Sequence, residues 1–123
     1  MPGLPNADQA VIAPEKLTDY LLNLSHPRGE PKARFFLMFG FRLDDVGLFE
    51  RALLAHGRSY PATTRMRKNG VSYAVDGALE TPTGRWPSVR TVWARDDGEA
   101  APRLVTAYPL DERDWKGVKD HDV

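Results

Sequence analysis

The chain has 123 residues, in which 17 Lys and Arg balance 17 Asp and Glu, and it contains no cysteine. This length fits one domain with one hydrophobic core, and an apolar fraction of 41% argues against general disorder. The lack of cysteine excludes disulfides, thiol catalysis and zinc sites that need thiolate ligands. The neutral charge argues against a uniformly basic surface, so any patch that binds nucleic acid must be local.

The sequence contains no run of about eighteen apolar residues, the length that a membrane-spanning helix needs. The N-terminal residues also lack the basic and then apolar order of a signal peptide. We therefore expect a cytoplasmic protein with no membrane contact, unless the chain is a domain cut from a larger secreted protein. Residues 1–110 are expected to form one globular domain with an extended N-terminal lead-in, followed by a polar tail over 111–123.

The first half of the chain predicts three helices after the lead-in of residues 1–13. Pro14 suits a first helical turn, and the apolar face that follows has helical spacing: Leu17, Tyr20, Leu21 and Leu24. A second helix is expected from Pro31 to Phe39, because Gly40 follows as a typical C-terminal cap.

The third helix is expected to begin at a cap on Asp44 or Asp45 and to end at Gly57. In its last turn, His56 is expected to meet the negative end of the helix dipole as an imidazolium cation. The remaining histidines are far away in sequence, and His121 falls in the tail. We therefore predict no metal site and no cofactor.

From residue 58 onward the apolar period changes to two, which predicts strands. Lys68-Asn69-Gly70 is a hairpin signal before the alternating segment 71–76, and residues 81–84 form a second turn. Residues 89–95 and 103–108 are the third and fourth strands. The expected fold is therefore α+β, with three N-terminal helices packed on a four-stranded antiparallel β-meander.

The first candidate site is a loop and helix start with four potential cations within nine positions: His26, Arg28, Lys32 and Arg34. Helix N-termini present free amide donors that bind phosphate, and a histidine can move a proton near neutral pH. The alternative interpretation is a solvated polar loop whose basic residues balance Glu30.

The second candidate site lies on the last two strands. Alternation places Thr91 with Trp93 on one face of the third strand, and Thr106 with Tyr108 on one face of the fourth. Hydroxyls and aromatic rings on an open sheet face can bind a nucleotide, with Arg90 or Arg103 supplying charge from the strand edges. The alternative is that these residues only pack, since strands favour Thr, Tyr and Trp.

An ordered set of segments carries a resemblance to a known family: Leu4-Pro5-Asn6-Ala7, Lys16-Leu17-Thr18-Asp19-Tyr20-Leu21-Leu22, His26-Pro27-x-Gly29-x-x-Lys32-Ala33-x-Phe35-Phe36, Thr91-Val92-Trp93 and Pro102-Arg103-Leu104-Val105-Thr106-Ala107-Tyr108-Pro109. On these segments the chain resembles the bacterial domain-of-unknown-function family 6883, from about Leu4 to Leu110. Such domains look like toxin-associated modules, and their helices-then-meander order is similar to barnase, colicin nuclease and RelE-type ribonucleases.

The resemblance implies a toxin-like, metal-independent endoribonuclease, in which the ribose 2′-OH attacks the neighbouring phosphate. It implies that His26 is the acid or base, that Lys32 and Arg90 hold the phosphate, and that Thr106 and Tyr108 position the substrate or assist proton transfer. Further substrate contacts are expected from the other candidates: Arg28, Arg34, Thr91 and Trp93. RNA would be the substrate, and a cognate antitoxin or immunity protein would restrain the enzyme. As part of a larger toxin, the domain would be delivered to the cytoplasm of a target cell.

Two other interpretations stay open. In the first, the domain is a non-catalytic, toxin-associated module that recognises a protein or an anionic ligand, and His26 only braces its loop through Pro27. In the second, it is a structural domain with no small ligand. The enzyme hypothesis requires His26, Lys32, Thr106 and Tyr108 to converge in one cleft.

Overall fold

Helices precede strands in the computed structural model, which describes residues 3–111. The helical elements are α1 (Pro14–Lys16), the π-helical segment Leu17–Leu21, α2 (Glu30–Met38) and α3 (Val46–Ser59), with 3-10 turns at Ala7–Gln9 and Leu43–Asp45. The strands are β1 (Ala62–Arg67), β2 (Gly70–Ala78), β3 (Ser88–Asp96) and β4 (Arg103–Pro109). The mixed α+β class, with three helices and a four-stranded antiparallel sheet, is confirmed. Of the predicted tail over 111–123, residues 112–123, which include His121, lie outside the described residues.

The strands form one sheet in the order β1-β2-β3-β4, and each strand pairs antiparallel with the next. Arg67 pairs with Gly70 across the two-residue turn, which confirms the predicted hairpin. The outer edge of β4 is partly covered by the lead-in, because the Val11 amide donates to the Pro102 carbonyl at 3.0 Å. By contrast, β1 is exposed along most of its length.

The two faces of the sheet differ because strand side chains alternate. The inner face of β2 and β3, towards α3, carries buried residues: Tyr73, Val75, Val89 and Trp93. The outer face carries partly or fully exposed residues: Ser72, Asp76, Arg90 and Val92. Between Val92 and Trp93 the register with β4 shifts by a bulge.

The first helix is shorter than predicted. The Leu22 amide donates to the Leu17 carbonyl at 2.9 Å, a spacing of five residues that defines a π-turn. The wider turn ends the helical run at Leu21, and the chain then reverses. The prediction that Leu24 lies on the apolar face was therefore wrong, since Leu24 is 54% exposed.

The end of α2 is a Schellman motif that confirms the predicted cap at Gly40. Gly40 has a φ of 101°, and its amide donates to the Leu37 carbonyl at 3.0 Å. The next amide, of Phe41, donates to the Phe36 carbonyl at 3.2 Å. This turn directs Phe41 into the core, where it packs on Phe49.

Both ends of α3 differ from the prediction. Asp45 occupies the N-cap position without a side-chain capping bond, and the Asp44 carboxylate binds Arg42. At the other end the helix passes through Gly57 and continues to Ser59. Gly57 is a packing residue, because a Cβ atom there would lie 2.6 Å from Cζ2 of Trp93.

We predict that Gly57→Ala lowers the free energy of unfolding by about 1–3 kcal/mol, because the added methyl group overpacks Trp93. Gly47→Ala, in the same helix, is the matched control. Its Cβ would lie 3.3 Å from the end of the flexible Arg51 side chain and 4.0 Å from Oδ1 of Asp45, so we expect stabilisation by about 0.4–1 kcal/mol. Urea unfolding of both variants measures the difference, and equal effects would contradict this explanation of Gly57.

Candidate functional site

A tyrosine in the helical half lies at the centre of a cluster of candidate residues. The Tyr20 hydroxyl is 3.0 Å from Oγ1 of Thr106 on β4. The Nζ atoms of Lys16 and Lys32 lie 5.3 Å and 5.4 Å from the centroid of its ring, and the His26 ring meets it edge-on at 5.0 Å between centroids. We call these five residues the Tyr20 site.

Local sequence explains how the Tyr20 site assembles. Lys16 and Tyr20 are four residues apart, so a helix brings them together. The chain reverses direction between Leu21 and α2, so that the first turn of α2 lies next to Tyr20 and Lys32 contacts the ring. The reversal needs glycine at its end, because a Cβ atom on Gly29 would lie 2.2 Å from the Tyr20 carbonyl oxygen.

Lys32 gives the Tyr20 site an excess of positive charge. The residue is only 5% exposed, and its Nζ donates to the Arg28 carbonyl at 3.2 Å. Within residues 3–111 no carboxylate forms an ion pair with it. It also lies in the first turn of α2, at the positive end of the helix dipole. Burial of an ammonium in this setting is costly, and the face of Tyr20 offsets only part of that cost.

His26 braces the reversal through its ring. Its Nδ1 accepts hydrogen bonds from the backbone amides of Arg28 and Gly29, both at 3.0 Å. The neutral ring therefore carries its proton on Nε2, and a proton on Nδ1 would break both bonds. In this geometry the Nε2–H group can donate a hydrogen bond to a ligand, whereas proton abstraction by Nε2 requires the tautomer that the two amides oppose.

Arg90 and Tyr108 belong to a separate group on the outer face of the sheet. Asp76, Arg90 and Tyr108 lie opposite one another on β2, β3 and β4. Arg90 donates to both Asp76 oxygens at 2.6 Å and 2.8 Å, and to the Tyr108 hydroxyl at 3.4 Å. The bond to Asp76 raises the pKa of Arg90. The predicted phosphate ligand Arg90 thus already binds a carboxylate, while Tyr108 lies two residues beyond Thr106 on β4.

Thr91 and Trp93 lie in the core and have no exposed surface. Trp93 Nε1 donates to Thr91 Oγ1 at 2.8 Å, and Thr91 Oγ1 lies 3.0 Å from Nδ1 of His56. Nε2 of His56 meets the Val89 and Gly77 carbonyls at 2.8 Å and 3.1 Å. The polar atoms of Thr91 and Trp93 are thus hydrogen-bonded inside the fold, and neither side chain is accessible to a substrate in this structure.

The polar network also corrects the interpretation of His56. Since only carbonyls face Nε2, that nitrogen carries the proton, and Thr91 donates to Nδ1. Burial lowers the pKa of His56. The expected imidazolium at the end of the helix dipole was therefore wrong: the ring is neutral and 2% exposed.

The side chains of the two remaining candidates, Arg28 and Arg34, are not part of the Tyr20 site. Arg34 is exposed and forms an ion pair with Glu30 one turn earlier. Arg28 contributes backbone atoms: its amide donates to Nδ1 of His26, and its carbonyl accepts from Nζ of Lys32. Sequence reasoning missed the role of Tyr20, which was placed on the apolar helix face. The available signals were its spacing of four residues from Lys16 and the tendency of a partly buried phenol to have a hydrogen-bond partner.

Neither a metal-binding cluster nor a membrane-spanning helix occurs in the described part of the chain. Residues 3–111 hold no group of three or more His, Asp or Glu side chains placed to share an ion. No helix among them is long and apolar enough to cross a bilayer.

The fold and the site define a small α+β domain with a cluster of cationic side chains around one tyrosine. The sequence profile of a domain of unknown function, DUF6883, matches residues 3–111, and the chain belongs to this family. No curated protein and no solved structure matches the chain significantly. The family description gives no activity, so the toxin association and the likeness to ribonuclease toxins stay predictions.

We predict that stability falls as the pH drops below about 6.5, the ordinary pKa of histidine. Because the pKa of His56 is lower in the folded chain, the unfolded chain binds more protons in this range, and the unfolding free energy decreases as the pH falls. His56→Gln removes this titration and costs about 1–3 kcal/mol at neutral pH through unsatisfied buried groups. Urea unfolding between pH 5 and 7.5 measures both effects. An unchanged pH dependence in the variant would contradict the assignment.

Proposed function

We propose that the domain is a binding module that holds a phosphate group at the Tyr20 site. The observation that carries this proposal is the buried Lys32 ammonium, which has no carboxylate partner among residues 3–111 and lies at the positive end of α2. A phosphate would supply the missing negative charge. Lys16, whose Nζ also lies near the Tyr20 ring, would be a second cation that binds it.

The geometry of His26 supports a binding role. Two backbone amides hold its Nδ1, so its Nε2–H group is a fixed hydrogen-bond donor beside the Tyr20 ring. A fixed donor selects an acceptor such as a phosphate oxygen, and it adds no charge. His26 thus braces its loop through the amides of Arg28 and Gly29, not through Pro27, and in this proposal it contributes one contact to the ligand.

We predict that Lys32→Met weakens phosphate binding about 10- to 150-fold, because it removes a charge-assisted hydrogen bond worth about 1.5–3 kcal/mol. Methionine keeps the length of the side chain, so the packing against Tyr20 is retained. The matched control is Arg34→Met, which removes a cation from the same helix outside the site. Titration with inorganic phosphate, followed by the NMR amide signals of Arg28 and Gly29, measures the affinity.

Two results would contradict the phosphate proposal. Equal weakening by Arg34→Met would mean that α2 attracts anions only through its general charge. Phosphate-induced shifts that are absent near Arg28 and Gly29 but present elsewhere would place the anion at another site.

The second candidate function is metal-independent cleavage of RNA, which the pair of hydroxyls in the Tyr20 site favours. Tyr20 and Thr106 lie 3.0 Å apart beside two ammonium groups. In this proposal the ribose 2′-oxygen attacks phosphorus, its proton leaves through the hydroxyl pair to water, and the departing 5′-oxygen takes a proton from water. Lys16 and Lys32 stabilise the charge that develops on the phosphate. A restraining antitoxin or immunity protein belongs to this candidate only.

If the domain is a ribonuclease, it cleaves RNA in the presence of a chelator and leaves 2′,3′-cyclic phosphate ends. Thr106→Val then lowers the cleavage rate by about 10²-fold or more, since it interrupts proton transfer. Arg34→Met is again the control, and mass spectrometry of the fragments identifies the ends. RNA that stays intact with the wild-type protein would exclude this candidate and leave the binding module.

A further inference from the structure

Two open depressions beside the Tyr20 site share part of their lining and form one basic trough. The first has a volume of about 300 Å³ and is lined by Arg65, Arg67, Ser72, Val92 and Val105. The second, of about 550 Å³, shares Arg67 and Val105 and adds Lys16 and Arg103. Since Arg67 belongs to β1 and Val105 to β4, the surface between these edge strands is concave.

The basic trough carries positive charge with little compensation. Neither depression has an Asp or Glu in its lining. Arg103 is paired with Asp96 and Glu99, but Arg65 and Arg67 form no ion pair within residues 3–111. The whole chain has 17 charges of each sign, so this group of unpaired cations is a local positive patch on a neutral protein.

The basic trough is continuous with the Tyr20 site through Lys16. This residue lines the larger depression, and its Nζ lies 5.3 Å from the centroid of the Tyr20 ring. From β4 to β1 the sheet spans three strand spacings, about 14 Å at ~4.8 Å each. One phosphate cannot cover this distance, but a short polymer with repeated negative charges can.

We infer that the basic trough binds a single-stranded nucleic acid, one phosphate of which occupies the Tyr20 site. This inference rests on the proposed phosphate site and names the ligand class. Lys32 is almost buried, so a phosphate must approach it closely to make contact. A flexible single strand can bend to bring one phosphate that close, whereas a rigid duplex cannot. Arg65 and Arg67 bind further phosphates through their planar guanidinium groups.

The surface of the basic trough favours a nucleic acid over an acidic peptide. Val92 and Val105 offer apolar contacts to sugars and bases, and Ser72 adds a hydroxyl. The trough presents side chains from the middle of the sheet. An extended peptide would instead add to the exposed backbone edge of β1, where main-chain hydrogen bonds are available.

The test uses fluorescence anisotropy with an eight-residue 2′-O-methyl oligouridylate, which cannot undergo 2′-OH attack, at several salt concentrations. We expect the double variant Arg65→Gln/Arg67→Gln to bind it about 10- to 100-fold more weakly and to reduce the salt slope by about 1.4, or 0.7 for each lost phosphate contact. Its affinity for inorganic phosphate should not change. Arg85→Gln, a cation outside both depressions, is the control and should bind like the wild type.

Other outcomes separate the inference from the proposed function. If the double variant binds the oligonucleotide as tightly as the wild type while Lys32→Met weakens phosphate binding, the trough inference is wrong and the phosphate site stands. If Lys32→Met changes neither affinity, the phosphate site itself is wrong. Equal affinity for an octaglutamate peptide, or tighter binding of a duplex of the same length, would also overturn the assignment to a single-stranded nucleic acid.

Discussion

The hydrogen bond between Tyr20 and Thr106 joins the helical half of the molecule to the last strand, and the arrangement of the site depends on it. The bond fixes the phenol ring, and the ring in turn determines where both ammonium groups and the His26 imidazole lie. Gly29 allows the chain to pass close enough to enclose the ring. One side chain therefore organises contacts from two helical segments, a loop and a strand.

The distribution of compensated and uncompensated charge distinguishes the candidate site from the rest of the described chain. His56 is buried, but its ring is neutral and fully hydrogen-bonded. Arg90 is partly buried, but the Asp76 carboxylate neutralises it. Lys32 is the exception, since it is buried with a carbonyl and an aromatic face as its contacts. A neutral chain can thus hold a strongly cationic site, because none of the five residues of the Tyr20 site carries a carboxylate.

Strand boundaries were largely predictable from the sequence, because the turn residues at 68–70 and the period of two depend on local chemistry alone. The π-turn was not predictable, since helical spacing assigns Tyr20 to the core and gives no sign of the wider turn. Gly57 shows a second limit: a glycine near the end of a helix indicates a cap, and only the position of Trp93 shows that it is needed for packing. Among the site candidates, His26, Lys32 and Thr106 lie around one ring, whereas Thr91 and Trp93 face the core. Alternation establishes which residues share a face, but it does not establish which face is buried.

The π-helical segment has an evolutionary consequence. Such a segment is equivalent to one residue inserted into an α-helix, and each residue of an α-helix turns the chain by about 100°. A deletion of one codon between Leu17 and Leu21 would restore regular winding and rotate the rest of the segment relative to Lys16. A single small genetic event can therefore create or abolish the alignment of Tyr20 with Thr106, while the sheet keeps its sequence.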